Sequence, residues 1–463
     1  MNRFKELFIG DRQFYKMVLV IALPILVQNG ITNFVNLLDN IMVGQLGTEQ
    51  MSGVAIVNQL VNVYGVCIFG AVSGASIFAA QYFGQRNYEG VRHTFRFKLI
   101  CCLLVAAVWM LLFGFAGGTL IDLFLNDADA GNVLATHDVG IGYLHIMMVG
   151  LLPYMMSVIY ASTLRENGQT VVPMIGSMAA VGVNFLINYT LIFGNFGFPR
   201  LGVVGAAIGT AAARFLEMAV IVIWTHRNRE KNPFIVGIYR SFEIPRNLIK
   251  QILKKGSPLM INEALWAVGQ AVLVQCYSMR GLEAVAALNI TTTVQNMFNI
   301  IFIALGSAIS IVVGQQLGAG NLKKAVDTDR KMMFFSVACC VAAGAVLFLL
   351  SAGVPEIYNT SAEVKRMAVQ LLRIVAVFMP VYAFYHAAYF TLRSGGKTFI
   401  TFLFDSCYVW IINIPIAFFL SRWTGVDMIS VFLACQCAEI MKVVIGCVLL
   451  KKRIWVNNIV SNI

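Results

Sequence analysis

The sequence predicts an all-α, polytopic membrane protein with twelve transmembrane helices in two pseudo-symmetric six-helix bundles. Three observations predict it. Apolar residues make up 59% of the chain and charged residues 12%, about half the share of roughly 25% usual in soluble proteins. Apolar runs of about 20 residues, the length needed to cross a hydrocarbon core, recur from end to end. The first half also repeats in the second. Advancing residues 24–87 by 234 positions sets Pro24 on Pro258, Gly47 on Gly281, Asn62 on Asn296, Gln81 on Gln315, Gly84 on Gly318 and Asn87 on Asn321. A shift of 228 sets Thr163-Leu164-Arg165 on Thr391-Leu392-Arg393. In so apolar a chain, two similar halves point to a transporter with its substrate site between the repeats.

The first half offers six spans: Met17 to Leu38, Val54 to Gln81, Leu99 to Leu120, Val139 to Tyr160, Val171 to Phe193 and Gly202 to Trp224. The second offers Leu259 to Met279, Val285 to Val313, Met332 to Leu350, Met367 to Leu392, Phe399 to Leu420 and Met428 to Leu450. Runs of this length are helices rather than barrel strands, because lipid leaves each backbone group to be satisfied within its own segment. Met17 to Gln28 resembles the core of a signal peptide. No small-residue cleavage site follows it, however, and the run continues to Asp39, so an uncleaved first helix is expected. Residues 1–226 form the expected N-terminal bundle, 227–248 a cytoplasmic linker and 249–463 the C-terminal bundle.

The net charge of +12 suggests nucleic acid only until the charges are placed. Arg3, Lys5, Arg12 and Lys16 precede the first span, and Arg86, Arg92, Arg96 and Lys98 follow the second. Further basic residues fill 227–255, follow the eighth span at Lys323, Lys324, Arg330 and Lys331, and close the last at Lys451, Lys452 and Arg453. The intervening loops, 122–138 and 353–361, are acidic or poor in positive charge. By the positive-inside rule both termini face the cytoplasm of a multi-pass plasma-membrane protein, the bacterial cytoplasmic membrane being the expected location. No nucleic-acid partner is expected, and the bilayer is the expected surrounding.

The ten cysteines, among them Cys101-Cys102, Cys339-Cys340 and the pair Cys435 and Cys437, lack metal-ligand or redox spacing. They suit helix packing. Gly395-Gly396-Lys397-Thr398 resembles the end of a phosphate-binding loop, but Thr391 stands where that pattern needs glycine and no strand precedes it. Zinc-protease and nucleophile-elbow motifs are also missing. The chain is therefore expected to be no enzyme, without a cofactor.

Leu23-Pro24, Asp39-Asn40-Ile41-Met42-Val43-Gly44 and Gln81-Tyr82-Phe83-Gly84 resemble the first two helices of multidrug and toxic compound extrusion (MATE) transporters. Leu164-Arg165 through Gly168, Asn184 through Gly194, and Gly197 to Gly202 fit the same family in the same order, and Gly314 to Gly318 echoes them in the second half. The resemblance implies an inward-to-outward exporter of two six-helix bundles, and a monomer is expected. It would let protons or sodium ions enter as amphipathic, cationic small molecules leave, by alternating access. The alternative within the same superfamily is a flippase for lipid-linked oligosaccharides, which needs a cationic cavity; a non-transporting scaffold has no sensing domain to support it.

Ionisable groups inside apolar helices cost about 2.5 kcal/mol or more each at the bilayer centre, so each needs a reason. Asp39 lies toward the outer end of the first span with no base one turn away. It is either a helix-end carboxylate in water or a group that loads a proton or a cation. The resemblance implies the second. Asn184 and Asn188 share a face of the fifth span and either complete a sodium cage with Asp39 or serve as interhelical hydrogen-bonding groups. Some MATE members carry a second aspartate at the place of Asn188. Glu263 follows Asn262 where the first repeat has Gln28-Asn29, which puts polar pairs at matching depth. It matches a coupling glutamate of one branch whose tenth-span aspartate is here Tyr382. Asp405, with Glu439 and Lys442, supplies compensating charge, either as a structural ion-pair network or, for Asp405 with Glu263, as a second protonatable site. His386 is deep enough in the tenth span to titrate or to pack. Tyr154, Tyr382, Phe384 and Tyr385 can offer ring faces to organic cations or simply fill space. Arg214 and Glu217 are expected to form a local i,i+3 pair without a role in transport.

Overall fold

The computed structural model describes residues 6–125 and 130–461; Arg3, Lys5 and part of the acidic segment 122–138 lie outside them. Twelve helices are long and apolar enough to cross a membrane, and there are no strands among the described residues. In chain order they are α1 (Arg12–Gly44), α2 (Thr48–Gln85), α3 (Tyr88–Asp122), α4 (Ala130–Glu166), α5 (Val171–Phe193), α6 (Val203–Arg227), α7 (Arg246–Ser278), α8 (Leu282–Gly318), α9 (Leu322–Leu350), α10 (Ala362–Ser394), α11 (Thr398–Trp423) and α12 (Met428–Lys451). All twelve expected spans are present. Most run beyond their apolar cores, and two of them start at a side-chain cap. Asn87 caps α3 by accepting from Gly90 N at 2.9 Å, and Ser361 caps α10 through Val364 N at 3.3 Å. Gly194, with φ of 75°, ends α5 in the left-handed conformation that favours glycine.

α11 departs from a uniform α-helix. It widens to π-helical turns over Leu403–Cys407 and Val409–Asn413 before returning to α geometry at Ile414–Trp423. Pro415 lacks the N–H that would bond to the carbonyl of Ile411, and its ring crowds that carbonyl, so the preceding turns open. Asp405 and Asn413 sit on the widened stretch.

The chain separates into two compact units. One comprises Met1–Leu26, Ala80–Arg86 and Lys250–Ile463; the other comprises Val27–Ala79 and Asn87–Ile249. In the first, Val18, Ile21, Ala22 and Ile25 of α1 join the core made by α8, α9 and α10. The last turn of α2 crosses the last turn of α8 in the same unit. A Cβ on Gly84 would fall 1.9 Å from the carbonyl oxygen of Gln315, and one on Gly318 would fall 1.9 Å from that of Gln81. The two Gln-x-x-Gly repeats thus meet through glycines, where any side chain would force the backbones apart. The Gln81 side chain donates to the carbonyls of Ser394 and Asn457 at 3.0 and 3.1 Å and accepts from Ile459 N at 2.8 Å, which ties the last described residues to this crossing.

In the second unit α6 packs on α4 and α5, with Gly205 set against the Leu191 backbone. The linker folds onto this unit: Phe234 and Ile235 are buried, and Arg96 donates to the carbonyls of Ile238, Gly237 and Glu243. Two of the basic residues grouped with the cytoplasmic loops are accordingly not solvated. Arg96 is buried, and Lys98 is 0% exposed. Both stand on α3, which begins at Tyr88, eleven residues before the apolar run that signals the span.

Candidate functional site

Gln28, Thr32, Val35 and Asp39 recur at helical spacing and form one face of α1. Ser177, Asn184 and Asn188 do the same on α5, and Thr210, Arg214 and Glu217 on α6. Thr32, Val35, Asp39, Ser177, Asn184, Thr210, Arg214 and Glu217 line a single cavity in the second unit. Close approach of α5 and α6 depends on small residues: a Cβ on Gly209 would fall 2.1 Å from Asn188 Oδ1, and one on Gly176 would meet Ile221 at 2.9 Å. Glycine at 209 is what leaves room for the Asn188 amide.

Two hydrogen-bonded chains meet in this cavity. Asn188 Nδ2 donates to Asp39 Oδ1 at 2.7 Å and to Asn184 Oδ1 at 3.3 Å, and Asn184 Nδ2 donates to Thr210 Oγ1 at 3.3 Å. Asp39, Asn184 and Asn188 therefore come together as the sequence suggests, and Thr210 joins them. Asn188 Oδ1 is buried against Gly209 without a hydrogen-bond partner among the described residues. In the second chain Arg165 Nη2 donates to Gln28 Oε1 at 2.8 Å, Gln28 Nε2 to Ser177 Oγ at 2.7 Å, and Ser177 Oγ to Glu217 Oε1 at 2.5 Å. Arg214 Nη1 lies 3.5 Å from Glu217 Oε2, and its guanidinium sits 4.6 Å from the centre of the Tyr154 ring. The expected local pair exists, but it faces the cavity that holds Asp39. Asn29 is half-buried and takes part in neither chain.

The polar cluster of the other unit is built around Asn262, the repeat counterpart of Gln28. Asn262 Nδ2 donates to Asp405 Oδ2 at 3.0 Å and to the Tyr389 hydroxyl at 3.5 Å, and its Oδ1 accepts from Ser406 N and Oγ at 3.2 and 2.7 Å. The Tyr389 hydroxyl donates to Glu263 Oε1 at 3.3 Å. Glu263 and Asp405 thus belong to one network but are bridged by Asn262 and Tyr389. Lys442 Nζ lies 3.7 Å from Asp405 Oδ1 and 3.3 Å from Glu439 Oε2, and Asn413 donates to Glu439. The same ammonium sits 4.7 and 5.1 Å from the centres of the Tyr385 and Tyr408 rings. Two carboxylates, Asp405 of α11 and Glu439 of α12, share one lysine. Tyr382 donates to Gln436. His386 stacks on Phe302 with centroids 5.6 Å apart and ring planes 3° from parallel. Tyr154 lies in the other unit from Tyr382, Phe384 and Tyr385.

Sequence reasoning passed over Thr210, Ser177, Arg165, Tyr389 and Ser406. Arg165 carried a signal, since it repeats as Arg393; the hydroxyls carried none, because such residues commonly bond their own helix backbone. It also passed over a buried pair outside the cavity. Lys98 Nζ donates to both Glu166 oxygens at 2.7 and 2.8 Å and to the hydroxyls of Ser162 and Thr163 at 3.1 and 3.2 Å.

Twelve spans, an internal duplication and polar clusters sunk in apolar helices define a multi-pass membrane transporter. The MatE family model matches residues 24–190 and 258–419. The chain belongs to the MatE family, the MATE transporters, and is not an enzyme. It is 23% identical over 425 residues to "Probable multidrug resistance protein NorM" of Thermotoga maritima, covering 90% of this chain and 88% of that one. Identity to the NorM of Pasteurella multocida, also named a probable multidrug resistance protein, is 25% over 415 residues, covering 88% and 86%. The fold matches an outward-facing multidrug resistance MATE family transporter of the MOP superfamily with a TM-score of 0.85 at 18% identity, covering 96% of each chain. A MOP superfamily transporter from Pyrococcus furiosus gives 0.84 at 18% identity, covering 97% of each.

Proposed function

We propose that the protein is a cation-coupled antiporter that exports amphipathic, cationic small molecules by alternating access. Its place would be the bacterial cytoplasmic membrane, as a monomer with both termini in the cytoplasm. The observation that carries this reading is the cavity of α1, α5 and α6. There a lone first-helix carboxylate meets two amides and a hydroxyl, a donor set of hard oxygens suited to a sodium ion and a carboxylate able to take a proton. A half-turn of the Asn188 amide would exchange its donor for its acceptor beside Asp39. Two carboxylates against one guanidinium line the cavity, which favours cationic cargo over the pyrophosphate of a lipid-linked oligosaccharide. The names of the curated relatives support drug export. Loading of Asp39 from outside would favour one opening of the two-bundle machine, and its unloading inside the other.

Glu263 and Asp405 form the second protonatable site in this reading, coupled through Asn262 and Tyr389. Glu263→Gln and Asp405→Asn, each reconstituted in proteoliposomes, are expected to lose efflux driven by an imposed sodium or pH gradient. Undiminished gradient-driven efflux in both variants would remove the second site from the mechanism and leave Asp39 alone.

A further inference from the structure

Arg214 is the feature of the cavity that the antiport reading does not use. It lines the same space as Asp39, Asn184 and Thr210, and its side chain is 36% exposed. A guanidinium offers five N–H donors in a planar fork. Among the described residues its polar and ring contacts are one long approach to Glu217, 3.5 Å, and the face of Tyr154. Most of the fork is therefore uncommitted and borders the cavity. Glu217 is the better-served carboxylate: it accepts the Ser177 hydroxyl at 2.5 Å, in a chain that Gln28 links to Arg165. Among the described residues Asp39 has the Asn188 amide as its hydrogen-bond donor and no ion pair.

With Asp39 and Glu217 ionised and Arg214 protonated, the three charged groups that line the cavity sum to one negative charge, and Arg165 approaches from outside that lining through Gln28 and Ser177. We propose that Arg214 is a tethered counter-cation which competes with the transported cation for Asp39. With a cation at Asp39, the guanidinium rests against Glu217 and Tyr154. When that cation leaves, the fork turns toward Asp39, and Glu217 keeps the Ser177 hydroxyl. Each carboxylate then keeps a partner, the guanidinium on Asp39 and the Ser177 hydroxyl on Glu217, in a surrounding where a charge without partners is costly, and the ion-free state becomes accessible for the return step. The inference rests on the proposed role of Asp39 and adds to it a residue that sets cation affinity. The two neighbours act with opposite sign: losing Arg214 removes the competitor, whereas losing the charge of Glu217 releases Arg214 to Asp39 full-time.

The test uses the full chain in proteoliposomes loaded with ethidium, with the sodium or proton concentration at half-maximal exchange as the readout. Arg214→Gln is expected to lower that concentration about fivefold to tenfold, a tenfold change corresponding to 1.4 kcal/mol of competition removed. Glu217→Gln is expected to raise it, and Arg214→Lys to lower it by less than Arg214→Gln does, since the charge is kept while the stacked planar fork is lost. Size-exclusion profiles confirm that each variant is folded. Shifts of the same sign in the two glutamine variants, or no shift in either, would overturn the inference. Asp39→Asn separates the layers: cation dependence that survives it refutes the antiport reading at this cavity, whereas its loss together with unshifted Arg214→Gln refutes only the competitor.

Discussion

Asparagine in place of Asp39 is expected to abolish cation-coupled export while the protein stays folded. The substitution is nearly isosteric and keeps an oxygen for the Asn188 amide, which now donates to Asp39 Oδ1 at 2.7 Å. What disappears is the charge. A charge-assisted contact contributes roughly 1.5–3 kcal/mol, and each 1.4 kcal/mol is a factor of ten. Cation binding at the cavity should therefore weaken about tenfold to a hundredfold, enough to bring gradient-driven efflux to the passive leak. Efflux from proteoliposomes measures the loss, and an unchanged melting temperature in detergent separates it from misfolding. Efflux at the original rate would mean that Asp39 is only a helix-end carboxylate.

The largest stability effect is expected at Glu166→Leu. Lys98 is 0% exposed and its ammonium is held by both Glu166 oxygens and two hydroxyls. Removing the carboxylate strands a fully buried ammonium with neutral partners, a change that typically costs about 3–5 kcal/mol. Adding Lys98→Met removes the stranded charge, so the double variant should regain most of that loss, because replacing a whole buried pair with apolar side chains is often close to neutral. Denaturant unfolding in detergent reads both. Equal destabilisation of single and double variants would show that packing, rather than the charge pair, holds this site.

What the sequence made legible follows from how far each signal reaches. Asp39 stands out because a single acid interrupts a long apolar run, and Asn184 with Asn188 because a four-residue spacing defines a helix face. Their union needs the crossing of α1, α5 and α6, which duplication and periodicity leave open. Arg214 with Glu217 was readable as an i,i+3 pair; that its face turns to Asp39 was not, since orientation depends on the Gly205 and Gly209 contacts with α5. Lys98 looked like a loop charge because the apolar run begins after it, whereas the Asn87 cap starts α3 upstream and carries it into the interior. In α11 the apolar pattern signals a plain helix, and only Pro415 hints at the π turns that position Asp405 and Asn413. The repeated Gln-x-x-Gly was visible as a repeat, but not as two glycines in backbone contact.

The central claim is that loading an intramembrane carboxylate with a positive ion drives the exchange between openings. Its most direct measurement is efflux of a fluorescent lipophilic cation from vesicles holding the purified protein, with sodium and pH gradients imposed one at a time and then both collapsed. The account predicts rapid efflux with one of the two gradients and none above leak when both are dissipated. Equal efflux under all conditions would contradict it.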